Sequence, residues 1–75
     1  MRRKSTFSKL RGLLTENDMT LTELGFLIHR SYSRLSDCMR GAAEWRLDEM
    51  YAILDLFHIS HDKLHEYFPK GGKAA

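Results

Sequence analysis

Residues 20–41 constrain the fold of this chain most strongly, because they predict two short helices joined by a tight turn. Thr20 followed by Glu23 is a capping box, in which each side chain satisfies a free backbone N–H at the helix start. Apolar residues recur at helical spacing over the next two turns and should face the core; they are Leu21, Leu24, Leu27 and Ile28. The pattern then breaks, and a second helix begins after Ser31, a good N-cap, and ends at Gly41. Two helices joined in this way form a helix-turn-helix.

Apolar periodicity predicts three further helices around this motif. One begins after residues 5–6 and ends near Asn17, since Asn and Asp favour turns. Another runs over residues 47–57, and a short one begins after Ser60 and stops at Pro69. No stretch has the alternating pattern of a strand. The sequence therefore predicts an all-α fold of five helices packed around one core.

The predicted domain occupies residues 6–69, between a flexible basic arm over residues 1–5 and a disordered tail over residues 70–75. A chain of 75 residues has room for a single small core. Trp45, the one tryptophan, should be substantially buried between the central motif and the fourth helix, because a lone indole usually buries most of its ring.

Composition narrows the possible functions. The basic start of the chain is not followed by the apolar segment of a signal peptide, and no apolar run is long enough to span a bilayer. The lone Cys38 cannot form a disulfide within the chain and fits a small buried residue. We find no catalytic pair, glycine-rich phosphate loop or redox motif. We therefore expect a cytoplasmic protein that is not an enzyme, needs no cofactor and does not bind membranes.

Charge is unevenly distributed, although the net charge is only +2. Residues 1–11 contain five basic side chains and no acidic one, whereas acidic residues outnumber basic ones in residues 12–30 and 42–60. A positive end beside a negative flank favours an anionic partner such as a nucleic acid. The alternative is a solvated basic arm with no specific partner.

Several stretches together resemble the Cro/CI-type helix-turn-helix regulators, also called the XRE or lambda-repressor-like family. They are FSKLRGLL, MTLTELGFLI, SYSRLSDCMRG, an EW pair before a helix, and a terminal EYFPK. The resemblance covers nearly the whole chain and is closest to small phage-type members of Gram-positive bacteria. It implies a compact five-helix domain that acts as a repressor or regulator and binds double-stranded DNA as a homodimer.

The resemblance also assigns roles by position, because the second helix of such a motif enters the major groove. Here that helix spans about residues 31–40. Its outward side chains are the base-reading candidates Ser31, Tyr32, Ser33, Ser36 and Asp37. The phosphate-binding candidates are the basic residues Arg2, Arg3, Lys4, Arg34 and Arg40. Without a DNA partner, the same residues would form an ordinary solvated helix face.

Four positions depart from the pattern of the family. Leu21 stands where a glutamine is usual, and His29 and Arg30 occupy the turn, where a glycine and an apolar residue are usual. Asp37 carries a charge that repels the DNA backbone. These departures keep open a second interpretation, a helix-turn-helix protein that binds another protein. It would be an antirepressor, an antitoxin or an inhibitor of a host defence complex.

The C-terminal third raises two further possibilities. His58, His61 and His65 lie at spacings that could bring imidazoles together on a metal ion, but a further ligand is not obviously placed. We therefore expect surface histidines and no metal. Ile59 and the Tyr67–Phe68 pair offer more apolar surface than a small core needs, which favours dimerisation near this end, weak or induced by DNA.

Overall fold

Five α-helices follow one another along residues 7–72, the part of the chain that the computed structural model describes (the side chain of Lys70 excepted). They are α1 (Ser8–Glu16), α2 (Leu21–Ile28), α3 (Tyr32–Arg40), α4 (Leu47–Leu56) and α5 (Leu64–Tyr67). Short 3₁₀ helices, His61–Lys63 and Pro69–Gly72, lie on either side of α5. The predicted all-α fold with five helices and a central helix-turn-helix is confirmed.

The helix ends of the central motif follow the predicted short-range signals. The Thr20 hydroxyl accepts from the N–H of Glu23 at 3.1 Å, and the Thr20 N–H donates to the Glu23 carboxylate at 2.9 Å. The Ser31 hydroxyl accepts from the N–H of Arg34 at 3.1 Å. Gly41 ends α3 in the left-handed region, at φ 82°. Local signals therefore set the start of both helices and the end of α3.

Side chains from all five helices and from the segments beside them form one core. Its buried members are Phe7, Leu10, Leu14, Leu24, Ile28, Leu35, Cys38, Met39, Trp45, Met50, Ile53, Leu54, Leu64 and Phe68. Trp45 is 4% exposed, so its predicted burial is confirmed. Its aromatic neighbours are Phe7 and Phe68, with ring centroids 6.1 and 5.2 Å away. The indole thus joins the first and last parts of the described chain.

The C-terminal end is more closely packed than the sequence suggests. We expected a disordered tail from residue 70, but residues 70–72 belong to a 3₁₀ helix. The carbonyl oxygen of Gly72 accepts from the N–H of Trp45 at 2.9 Å, and a side chain at Gly72 would collide with Trp45 and Met50. The absence of a Cβ at Gly72 therefore lets this end of the chain pack directly on the core.

The apolar surface on which we based C-terminal dimerisation is largely used inside the domain. Phe68 is fully buried, and Ile59 and Tyr67 are half-buried against the core. Dimerisation stays a prediction, with less apolar surface at this end to support it. Within residues 7–72, no helix has the length and apolar character needed to cross a membrane.

Candidate nucleic-acid interface

The turn between α2 and α3 depends on a close approach of two backbone segments. His29 takes the left-handed conformation expected for this turn, with φ 61°. The N–H of Arg30 donates to the carbonyl oxygen of Gly25 at 2.8 Å. A Cβ on Gly25 would overlap the carbonyl oxygen of Arg30, a backbone atom that cannot rotate away. The glycine in mid-α2 therefore sets the position of the turn, and with it the start of α3.

The five base-reading candidates lie on and just before α3. Ser31, Tyr32 and Ser33 are exposed, with Tyr32 56% exposed, whereas Ser36 and Asp37 are half-buried. The opposite side of α3 is buried in the core through Leu35, Cys38 and Met39. The first turn of α3 thus presents short polar side chains and one aromatic ring to its surroundings. Their roles in reading bases stay predictions.

Cys38 is a buried side chain on the inner side of α3, as predicted. Its Sγ lies 3.8 Å from the carbonyl oxygen of Glu44. Burial raises the pKa of the Cys38 thiol, so the thiol stays protonated at neutral pH. A protonated, buried thiol is a poor nucleophile, and we assign Cys38 to packing.

Arg40, a phosphate-binding candidate, forms an exposed ion pair within α3. Its Nη2 lies 2.5 Å from Oδ1 of Asp37, one turn earlier on the same helix. The side chains of Arg40 and Asp37 are 64% and 48% exposed. Exposed pairs of this kind contribute about 1 kcal/mol at most. Arg40 can therefore leave Asp37 for a phosphate at little cost.

Arg34, the other phosphate-binding candidate on α3, is partly exposed, and two nitrogens of its guanidinium bind a buried carboxylate. Nε donates to Oε2 of Glu49 at 3.1 Å, and Nη2 donates to Oε1 at 2.9 Å. Nη2 also donates to the carbonyl oxygen of Glu44 at 2.8 Å. The planar guanidinium matches the carboxylate with two roughly parallel hydrogen bonds. Arg34 therefore joins α3 to the start of α4, whatever it does toward DNA.

Arg30, in the turn, binds the same carboxylate. Its Nε donates to Oε2 of Glu49 at 2.8 Å, its Nη2 donates to Asp48 at 3.1 Å, and its Nη1 donates to the carbonyl oxygen of His29 at 3.0 Å. We call Arg30, Arg34, Asp48 and Glu49 the Glu49 cluster. Its two positive and two negative charges cancel. The cluster explains why an arginine can occupy a turn position that is usually apolar in the family this chain resembles.

Glu49 lies at the centre of this cluster and is 1% exposed. Its Oε1 also accepts from the backbone N–H of Arg46 at 2.7 Å, which helps to cap α4. Burial alone would raise the pKa of Glu49, but hydrogen bonds from Arg34, the Arg46 backbone and Arg30 together lower it to about 2. The hydrogen bond to Glu49 in turn raises the pKa of Arg34. Both groups therefore stay charged at neutral pH.

Sequence reasoning missed the role of Glu49. The helix predicted over residues 47–57 includes Glu49 in its first turn, where an acidic residue suits the helix dipole, and that position suggested no further role. A stronger signal was present in Arg30, a charged residue in a turn position that usually packs against the core. A charge there requires a partner, and Asp48 and Glu49 at the start of α4 supply one.

The remaining candidates lie elsewhere. Arg2, Arg3 and Lys4 fall outside the described residues. His61 is exposed, with its Nε2 2.6 Å from Oδ1 of Asp55 and its ring stacked on Tyr51 at 4.3 Å between centroids. Among residues 7–72, no group of three or more His, Cys, Asp or Glu side chains could hold a metal ion.

The outer face of α2 carries an apolar surface that the sequence analysis did not single out. Phe26 is 81% exposed and Leu27 is 46% exposed. Together with Met19, Thr22 and Glu23 they line a shallow concave surface, which we call the α2 patch. Neighbouring exposed apolar side chains often mark an interaction site.

Comparison with protein-family models, with curated proteins and with solved structures gives no significant match to this chain.

Proposed function

We propose that this chain is a sequence-specific DNA-binding regulator of the Cro/CI-type helix-turn-helix class. It would act in the cytoplasm as a repressor-like protein of phage or prophage origin. The observation that carries the proposal is the outer side of α3. Two exposed serines and the exposed ring of Tyr32 lie at the start of α3, and its other side is fixed in the core by Leu35, Cys38 and Met39.

These side chains suit the major groove for steric and chemical reasons. Serine side chains at positions 31, 33 and 36 let a helix approach the base edges closely, and their hydroxyls donate or accept hydrogen bonds. Tyr32 would contact a thymine methyl group or donate to a phosphate. Asp37 would accept from the exocyclic amine of a cytosine.

Phosphate contacts would supply most of the affinity. Arg40 is exposed beside the base-reading residues, and the basic arm of residues 2–4 would reach over the edge of a groove. A homodimer would place two α3 helices about one turn of DNA apart, on a palindromic operator. The proposal includes no catalytic step and no cofactor.

Selection of bound sequences from a random duplex library tests this proposal. We expect one enriched motif, bound more tightly than scrambled DNA, with an affinity for both that falls as salt rises. Ser33→Glu should abolish enrichment, because it places a negative charge against the groove. Ser8→Glu is the matched control, since Ser8 is an exposed serine in the first turn of α1. Equal enrichment by both variants would contradict the proposal.

A second candidate function is protein binding, which the α2 patch favours. An 81% exposed phenylalanine beside Leu27 resembles the apolar centre of a protein interface more than a solvated helix face. The protein would then be an antirepressor, an antitoxin or an inhibitor of a host defence complex. Retention on heparin and on bulk duplex DNA at low salt separates the two functions. A protein that neither matrix retains would favour protein binding.

A further inference from the structure

We propose that Glu49 is a positioning residue for DNA recognition: it fixes the start of α3 and keeps the charges of Arg30 and Arg34 away from phosphates. The inference rests on the proposed function, because it concerns how α3 would meet DNA. Glu49 itself is buried on α4 and would touch no nucleotide.

The first step of the argument is geometric. One carboxylate accepts hydrogen bonds from three separate segments: the turn through Arg30, the first turn of α3 through Arg34, and the start of α4 through the Arg46 backbone. The bonds measure 2.7 to 3.1 Å and use both carboxylate oxygens. Because α3 is only nine residues long, fixing its first turn fixes the orientation of the whole helix.

The second step concerns charge. Each arginine that neutralises a phosphate releases counterions and makes binding to any DNA stronger and more dependent on salt. Arg30 and Arg34 have side chains 31% and 29% exposed, so they lie at the edge of the surface. Moving either to a phosphate would leave a buried carboxylate with fewer partners, which is strongly unfavourable. Glu49 therefore limits binding to non-specific DNA while it holds the reading surface in place.

A charge-conserving substitution separates positioning from phosphate binding. Arg34→Lys keeps the positive charge but loses the planar fork that binds both oxygens of Glu49. If Arg34 binds phosphate as a point charge, lysine should serve about equally on all duplexes. If Arg34 positions α3, affinity for the selected site should fall about tenfold. Affinity for scrambled DNA and its salt dependence should stay unchanged.

Arg40→Lys is the matched control. Arg40 lies on the same helix, carries the same charge and donates one hydrogen bond to the carboxylate of Asp37 at the surface. Because Arg40 is itself a phosphate-binding candidate, any change should affect both affinities together. The ratio of affinity for the selected duplex to affinity for the scrambled duplex should therefore stay that of the parent protein. Equal discrimination by Arg34→Lys and Arg40→Lys would overturn the inference.

A second pair of variants tests the carboxylate itself. Glu49→Gln and Glu66→Gln each remove one negative charge, but Glu66 is an exposed partner of Lys9 between α1 and α5. Glu49→Gln should bind scrambled DNA more tightly and steepen its salt slope by about 0.9 for each arginine released. It should also lose discrimination, whereas Glu66→Gln should keep the discrimination of the parent. If Glu49→Gln does not fold, the lysine variants decide.

Amide hydrogen exchange without DNA keeps this inference distinct from the proposed function. Exchange at the amides of Arg34 and Leu35 should be faster in Arg34→Lys than in Arg40→Lys. If the parent protein binds no duplex, the proposed function fails. Faster exchange in Arg34→Lys would then still show that the pair of Arg34 and Glu49 positions α3. Equal exchange in the two variants would overturn the positioning role with or without DNA.

Discussion

Two arginines on one helix have opposite surroundings. Arg34 lies in the first turn of α3 and binds both oxygens of a fully buried carboxylate. Arg40 lies in the last turn and pairs with Asp37, whose side chain is 48% exposed. Sequence position and charge assigned both to phosphate binding. The difference teaches that the burial of the partner decides how freely an arginine can leave it for a ligand.

The contrast follows from where each acid lies in the chain. Asp37 precedes Arg40 by three residues on the same helix, so their pair stays on the surface whatever the tertiary fold. Glu49 belongs to α4 and becomes buried only when folding brings α4 against α2 and brings Arg34 of α3 onto its carboxylate. We call Asp37–Arg40 the outer pair and Arg34–Glu49 the inner pair. The outer pair is therefore a local feature, and the inner pair is a product of folding.

The largest effect on stability should come from removing the carboxylate of Glu49. Glu49→Ala leaves Arg30 and Arg34 without their carboxylate and should lower the free energy of unfolding by about 3–5 kcal/mol. Asp37→Ala should change it by less than about 1 kcal/mol. Urea denaturation followed by circular dichroism measures both. Equal shifts of the two midpoints would remove the distinction between the inner and outer pairs.

The second-largest effect on stability should come from lowering the pH, because acid protonates Glu49 in the inner pair. The folded-state pKa of Glu49 is about 2, below its ordinary value of 4.5, so its contribution to stability is complete above pH 4.5 and is lost toward pH 2. The loss should be roughly 3 kcal/mol, at about 1.4 kcal/mol for each pKa unit. Denaturation curves between pH 6 and pH 2, about the range over which carboxylates titrate, measure it.

The matched variants for this test are Glu49→Gln and Glu66→Gln. Glu49→Gln should flatten the dependence on pH, because it removes the titrating group. Glu66→Gln should leave most of it in place, since Glu66 is exposed and its pKa is lowered mainly by the hydrogen bond from Lys9. If the parent protein is equally stable at the two ends of this pH range, Glu49 does not stabilise the fold through a lowered pKa.

A smaller effect should come from the glycine beside the turn. Gly25→Ala places a Cβ against the carbonyl oxygen of Arg30, so it should destabilise the domain by about 1–3 kcal/mol and disturb the inner pair. Gly12→Ala is the control in α1, where a Cβ would meet no heavy atom of the described residues within 4 Å. It should stabilise the domain by up to about 1 kcal/mol. Thermal unfolding of both variants checks the opposite signs.

The smallest effects on stability, and the most informative for DNA, should come from the outer pair. Arg40→Ala should weaken binding to selected and scrambled duplexes about equally and lower the salt slope by about 0.9. Asp37→Ala should hold or raise affinity for scrambled DNA, because it removes a repelling charge and frees Arg40. It should also reduce discrimination at one base pair by about 1–3 kcal/mol. Binding titrations at several salt concentrations measure both variants. If neither differs from the parent, Arg40 does not bind phosphate and Asp37 does not read a base.

The helices could be predicted because their signals are local. The Thr20–Glu23 capping box, the Ser31 cap and Gly41 act within a few residues of themselves, and each does so in the structure. The left-handed conformation of His29 could be anticipated from the resemblance, because a glycine is usual at that position of the turn.

The Glu49 cluster could not be predicted as readily, because it depends on contacts between residues 15 to 19 positions apart. The α2 patch escaped prediction for a related reason. Leu27 belongs to the apolar stripe expected to face the core, yet it is 46% exposed, and Phe26 beside it is 81% exposed. Nearly every side of α2 is apolar, so periodicity alone could not tell which side the core would cover.

Chemical-shift mapping with a selected duplex tests the central claim most directly, the claim that the outer side of α3 meets DNA. We predict the largest amide shift changes at residues 31–37 and at Arg40, with small changes at Phe26 and Leu27 in the α2 patch. Changes confined to the α2 patch, or none at any residue under conditions where the duplex is in excess, would contradict the claim.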